Sequence, residues 1–480
     1  MHLGIDLGTS SVKAVLADGK NLFRDREQYD GEHSLMHHPV SMVEEAVIRL
    51  VQRLISQNGA SVSGLAIGGH GPSLVFVDRQ GAALTSIMTW QDKRASREAA
   101  CLRELWEDFS RDATSYEAKV LWYHRHREEL FAPGHTVLYP KDYLVMKLTG
   151  RRIMDHSTAS TIRFREDGQN RWTDRGLGFD TGIFPEVIAS TAEAGPTGTA
   201  FSRSCGLEDG IPVYAGGIDA YCESLGAGAG EPGDLVDGTG TSTCLSVCTA
   251  EEDGGDRHVL PGRRLAMRTI SYTGGSVRWM KQQLGGMKEL QEHSGPIPGP
   301  SGLVFLPYLT GERSPIWDEA ARGVFFGLHS TTTARDMALA VLEGVAHAVR
   351  QNLETLDVPD DRPVRAVGGG AASGHWLQIK ADVTGRTYWQ MDQTDAAALG
   401  AAMISALGSG QWTREELLQT WTRPAREYHP RPRYREAYGA LYRIYTGLYP
   451  QLRESYHQLQ ELYSKSEQLP ENREDEKCAD

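Results

Sequence analysis

Apolar residues alternate with small or polar ones at the amino end, as Leu3, Ile5 and Leu7 and again as Val12, Ala14 and Leu16. That period of two predicts a pair of strands joined by a hairpin. Gly8 lets the chain reverse, but Asp6, Thr9 and Ser10 place more polar chemistry around the tip than a turn requires. The pattern returns in the middle of the chain, where GDLVDGTGTSTCLSVC runs through Gly238, Thr239, Gly240, Thr241 and Ser242 between two strand-like segments. Two such hairpins predict a duplicated architecture, one unit per half, with a ligand met from both sides.

Other segments alternate between strand and helix. IPVYAGGIDAYCES reads as a strand from Pro212 to Ala215, a turn at Gly216 and Gly217, and a helix opened by Asp219. SGLAIGGHGPSLVFV reads as strand, glycine-rich turn carrying His70, and strand, while Trp90, Gln91 and Asp92 stand just before a helix. RAVGGGAASGHWLQIKADV is a strand, a turn of small residues and a helix whose N-terminus is free to meet an anion or a flat ring. Near the carboxyl end, Tyr438, Tyr442, Tyr445, Tyr449, Leu452, Tyr456, Leu459 and Tyr463 fall on one helical face, which predicts packing. Pro450 is expected to kink or divide that helix. The last stretch, SEQLPENREDEKCAD, has no apolar period and is expected to be disordered.

Composition narrows the class. At 480 residues, 40% apolar and 24% charged, the chain reads as a globular protein of two large domains or three smaller ones. No run is long and apolar enough to span a membrane, and Asp6 interrupts what a signal peptide would need, so a cytoplasmic protein is expected. A net charge of -13, with no stripe of Lys and Arg, argues against nucleic acid and for a small-molecule partner. The six cysteines lack metal-type spacing and fit reduced thiols.

These pieces suit phosphoryl transfer, which needs donors around a triphosphate, a metal between its oxygens and a carboxylate to accept the proton of the attacking hydroxyl. Gly8, Thr9 and Ser10 would grip phosphate oxygens from one side, and Gly240, Thr241 and Ser242 from the other. Asp6 would hold Mg²⁺, directly or through water. Lys13 could reach a phosphate, but its alternation with Val12 and Ala14 favours a solvated face. Asp219 is the candidate general base, and capping of the helix at Ala220 is the competing reading. His70, Trp90 and Asp92 could line a sugar site or serve structure alone.

The motifs also carry a resemblance. GVFFGLHSTTTARDMALAVLE (323–343), KVLWYHRH from Lys119, LYPKDYLVMKLTG, TWQDKR, FLPYLTGERSP and VGGGAASGHW are similar to blocks of the FGGY carbohydrate kinases, from Met1 to Tyr445. Tyr116 departs from the amino-terminal signature, which has a small residue or proline there. The resemblance implies two actin-like (ribonuclease H-like) α/β domains around a cleft, at 1–230 and 231–445, followed by a carboxyl-terminal helix and tail at 446–480. It implies ATP and Mg²⁺, with Asp219 as base, Asp92 and His70 on the sugar, and Gly369, Gly370 and Ala371 flanking adenine. Within the family the chain looks most like the enzymes acting on xylulose. Gly69, His70, Gly71 and Pro72 replace a Met-His pair familiar there, and GGIDAYCES replaces a Gly-Gly-Asp-Asn pattern, so another ketopentose, a polyol or gluconate stays open. Family members occur as dimers, which makes a homodimer the expected assembly. An actin-like ATPase and a non-catalytic sugar-binding regulator are the alternatives from other classes.

Overall fold

The computed structural model describes residues 1–30, 34–109, 111–166, 171–284, 299–356, 358–392 and 395–466. Strands β1 (His2–Leu7) and β2 (Ser11–Ala17) form the hairpin read from the sequence, with Asp6 opposite Lys13 and Leu7 opposite Val12. Both faces of β1 are covered, so its alternation does not mark a half-exposed strand. Leu3, Ile5 and Leu7 pack with Val43, Val47, Leu50 and Leu54 of helix α1 (Val40–Asn58). Each such buried side chain contributes about 1.5–3 kcal/mol.

The first sheet adds β3 (Leu22–Gln28), β4 (Gly64–Gly69), β5 (Glu193–Pro196) and β6 (Pro212–Ile218), in the order β5-β6-β4-β1-β2-β3. Strands β4 and β6 run parallel to β1, whereas β2 pairs antiparallel with β1 and β3 antiparallel with β2. Strand β6 does not stop at Ala215 as the sequence suggested. It continues through Gly216 and Gly217 with a shift of register, because Gly216 takes a φ of 77° where a Cβ would lie 2.0 Å from the Ile67 carbonyl oxygen.

The second sheet repeats this topology, which bears out the duplication. It comprises β7 (Leu235–Thr239), β8 (Thr243–Ala250), β9 (Asp256–Arg257), β10 (Arg263–Ile270), β11 (Val364–Val367), β12 (Tyr388–Met391) and β13 (Pro424–Tyr428), ordered β9-β10-β8-β7-β11-β12-β13. As in the first sheet, the first hairpin strand pairs antiparallel with its partner and parallel with its other neighbour, and the partner pairs antiparallel with a third strand: β7 with β8 and β11, β8 with β10. One element crosses back. Helix α8, Ala396–Gly408, follows the second sheet in sequence but packs on β1, β2, β4 and β6 and on helix α4, Asp219–Gly226. A Cβ at Gly400 would lie 1.8 Å from the Cys222 carbonyl oxygen, so that contact requires glycine.

The final helix, α9, runs unbroken over Arg435–Ser466 with Pro450 inside it. Pro450 does not divide it, because it stands on the exposed face where water can serve the carbonyl that loses its N–H partner. Tyr438, Tyr442, Tyr445 and Tyr456 are buried, Tyr449 and Leu452 half-buried, but Leu459 and Tyr463 are exposed, so the packing face ends at Tyr456. The expected disordered tail from Glu467 onward lies outside the described residues. Among those residues, no helix is long and apolar enough to cross a membrane.

Candidate active site

Three neighbouring strands end at one edge. Leu7 pairs with Gly69, and Gly69 with Ile218, so the next residue of each strand, Gly8, His70 and Asp219, enters the same space. The second sheet does the same with Gly238 beside Val367, bringing the Gly240 turn next to Gly368 and Gly369. The edge of each sheet therefore supplies half of a site.

In the first turn the Gly8 amide donates to the Ser11 carbonyl at 3.0 Å, and the Tyr29 hydroxyl donates to the Gly8 carbonyl at 3.0 Å, fixing the loop that carries Thr9 and Ser10. Asp6 lies beneath it, buried, and its Oδ1 has no hydrogen-bond partner. Burial first, then the charge of Asp219, pushes its carboxyl up to about 7. Lys13 does not face solvent freely: it is half-buried and pairs with Asp395 at 3.2 Å. Asp219 opens α4, where its Oδ1 accepts from the Ala220 amide at 2.7 Å; burial pushes its carboxyl up to about 6. Ile218 holds the N-cap position and no side chain caps the helix, so the competing reading of Asp219 as a cap does not hold, and it presents a carboxyl of raised basicity. One turn on, Glu223 is pushed up to about 8 by burial and then by Asp219 and Asp6.

The second turn rests on a buried network. Lys380, from helix α7 (Gly374–Thr384), donates to Asp237 Oδ2 at 2.7 Å and to Thr239 Oγ1 at 2.8 Å, and Thr239 Oγ1 lies 2.8 Å from Thr243 Oγ1. Arg278 donates to Thr241 Oγ1 at 2.8 Å. Beside the turn opens a groove of about 1010 Å³ lined by Gly240, Thr241, Gly369, Gly370, His375 and Tyr428, among others. Ser242 and Ala371 are not on its wall. Ala371 is buried in the core of the second unit, because the turn at Gly369–Ala372 winds its side chain inward, and Ala372 lines the groove instead.

On the first unit's side, a chain of contacts joins the candidate sugar residues to the phosphate turn. His70 Nδ1 lies 2.7 Å from the Ser73 hydroxyl, that hydroxyl accepts from the Trp90 amide at 2.9 Å, and Trp90 Nε1 donates to Thr9 Oγ1 at 3.1 Å. Burial pushes His70 down to about 3, so it is neutral. Asp92 is buried and held by Arg94 at 3.0 Å and His37 at 2.7 Å. Lys119, on helix α2 (Tyr116–His126), donates to the carbonyls of Pro72 at 2.9 Å and Thr89 at 2.6 Å, tying together the loops that carry His70 and Asp92.

Two domain families cover most of the chain. Residues 1–226 match the N-terminal domain, and residues 238–409 the C-terminal domain, of the FGGY family of carbohydrate kinases. The chain belongs to the FGGY family of carbohydrate kinases. It is an ATP-dependent phosphotransferase by that membership. It is 28% identical over 482 residues to the xylulose kinase of Staphylococcus xylosus, covering 93% of this chain and 99% of the relative. It is 25% identical to the gluconokinase of Bacillus subtilis (strain 168), covering 85% and 88%. The crystal structure of xylulose kinase from Rhodospirillum rubrum superposes with a TM-score of 0.83 at 26% identity, covering 95% and 99%.

For an FGGY kinase the acids of the cleft are telling. Among the described residues no group of three His, Cys, Asp or Glu side chains is arranged as a metal cage. The orphaned Asp6 Oδ1 beside Asp219 fits instead an ion that keeps most of its waters and is shared with phosphates, which is the habit of Mg²⁺. Sequence reasoning missed Glu223, Asp395, Lys119 and Lys380. The helical pitch alone would have placed Glu223 on the face of Asp219, one turn away.

Proposed function

We propose that this kinase transfers the γ-phosphoryl group of ATP to a hydroxyl of D-xylulose, giving D-xylulose 5-phosphate. The observation that carries the reading is Asp219: it opens α4 where β6 ends beside the Gly8 turn and His70, with a carboxyl pushed up to about 6 by burial. Its free carboxylate oxygen accepts the proton of the attacking hydroxyl while its Oδ1 stays anchored to the Ala220 amide. The hydroxyls and amides of both turns bind phosphate oxygens, and Gly369 and Gly370 border the space for adenine. Asp6 would hold Mg²⁺, directly or through water, and the ion would neutralise triphosphate charge.

Support for xylulose comes from the Staphylococcus xylosus and Rhodospirillum rubrum relatives and from the sugar wall. Arg94 and Lys119 are both committed to protein acceptors there, so that wall suits a neutral polyol chain better than the carboxylate of gluconate. Trp90 offers an apolar ring, and Asp92 and His70 offer fixed polar groups. Unbridged Cys101, Cys205, Cys222, Cys244 and Cys248 fit work in the reducing cytoplasm.

The test is ADP release from MgATP with D-xylulose, D-ribulose, L-ribulose, L-xylulose, glycerol, xylitol, erythritol and gluconate. D-xylulose should give the highest kcat/KM, with a phosphorylated product by mass. A higher kcat/KM for any other compound refutes the substrate assignment, and turnover on none refutes sugar phosphorylation.

A further inference from the structure

The strap Glu312, Arg313 and Ser314 lies across the end of the second sheet. The Ser314 amide donates to the Thr269 carbonyl at 3.1 Å, and the Arg313 amide to the Ser271 hydroxyl at 3.1 Å. Glu312 Oε1 accepts from the amides of Ser271 and Arg313, both at 2.7 Å. Those anchors sit beside the phosphate turn, since Thr269 pairs with Cys244, Ile270 with Thr243, and the Thr273 amide donates to the Thr241 carbonyl at 2.9 Å.

The Arg313 guanidinium is half-buried, yet among the described residues nothing accepts a hydrogen bond from it. The titratable groups around it are Glu312, the Cys244 thiol, which burial keeps neutral, and, from the first unit, Asp112. Cys244 in turn lies within the field of Asp219 and Glu223, which places Arg313 on the base's side of the cleft. A half-buried cation without partners is costly to keep. Its planar set of five donors matches phosphate oxygens.

We propose that Arg313 is a catalytic residue that donates hydrogen bonds to the non-bridging oxygens of the phosphoryl group in transit. The acceptor oxygen forms its bond to the γ-phosphorus as the bond from that phosphorus to the β,γ-bridging oxygen breaks. The bridging electron pair leaves with ADP, the hydroxyl proton goes to Asp219, and Arg313 gains and loses no proton. The inference rests on phosphoryl transfer in this cleft, and it holds whichever sugar accepts.

Arg313→Met, Arg313→Lys and Arg313→Ala test it, measured with MgATP and D-xylulose and also as slow ATP hydrolysis without any sugar. Arg313→Met should lower kcat on the order of 10³-fold, the scale of an arginine that stabilises phosphoryl charge. Sugar-free hydrolysis should fall in parallel, the KM for xylulose should stay unchanged, and added guanidinium ion should restore part of the activity of Arg313→Ala but none to Arg313→Met. A raised xylulose KM with hydrolysis intact would overturn the proposal in favour of a sugar contact. Unchanged kinetics in all three variants, or a loss that no guanidinium restores, would also overturn it. If the wild type hydrolyses ATP but phosphorylates no sugar, the substrate reading fails while the hydrolysis comparison still decides the role of Arg313.

Discussion

Replacing Asp219 by Asn removes the proton acceptor but keeps the amide contact, because the Asn side-chain oxygen can still accept from Ala220. General-base catalysis contributes about 10²–10⁴ in rate, so kcat for sugar phosphorylation should fall by that factor in a coupled ADP-release assay. Stability should move the other way. The folded carboxyl is raised to about 6 from an ordinary 3.8, so the folded state holds the proton more tightly than the unfolded one. Below pH 3.8 that difference costs nothing; between there and 6 the penalty grows, and above 6 it is constant. At 1.36 kcal/mol per pH unit the penalty approaches ~3 kcal/mol, reduced to ~1–3 kcal/mol by water in the open cleft. Asp219→Asn should therefore melt above the wild type at pH 8 and alongside it below pH 4, and wild-type kcat/KM should lose activity as pH falls through 6. A variant that keeps more than about a tenth of the wild-type kcat would refute the base assignment. One that melts lower at pH 8 would refute the electrostatic account.

Lys119→Met leaves the Pro72 and Thr89 carbonyls without their shared donor, so stability should drop by about 1–3 kcal/mol and the xylulose KM should rise while the ATP KM holds. Equal changes in both KM values would argue against a role confined to the sugar loops. Trp90→Phe deletes the bond to Thr9 and should cost about 1 kcal/mol of transition-state binding, read as roughly a fivefold lower kcat/KM. Gly400→Ala places a methyl 1.8 Å from the Cys222 carbonyl and should lower stability by about 1–3 kcal/mol in urea unfolding. An unchanged midpoint would mean that α8 is not seated on α4 in solution.

The hairpins and their duplication were legible because strand alternation and Gly-Thr-Ser turns are local signals, complete within a dozen residues. Asp219 was legible for the same reason: it follows a strand and opens a helix. The extent of β6 was not, since Gly216 and Gly217 read as a turn, and only the close approach of the Ile67 carbonyl shows why glycines stand inside a strand. The Lys13–Asp395 pair was not legible because Asp395 stands at the entry to a helix from the other half of the chain. Helix α8 is buried along most of its length, and no sequence pattern declares which sheet a helix returns to.

The same non-local packing explains the electrostatics of the cleft. Asp6 comes from β1 and Asp219 and Glu223 from α4, which the pairing of β1, β4 and β6 already brings together; Asp395, at the entry to α8, joins them only because α8 returns to pack on β1 and α4. Lys13 offsets part of their repulsion, yet Asp6, Asp219 and Glu223 all keep raised carboxyl pKa values. A fold seeking stability alone would not gather acids this way. A cation arriving with phosphates would relieve the unfavourable energy stored there, so the raised carboxyls suit a site that is filled during turnover. The second unit supplies the complementary feature, a guanidinium that among the described residues donates no hydrogen bond.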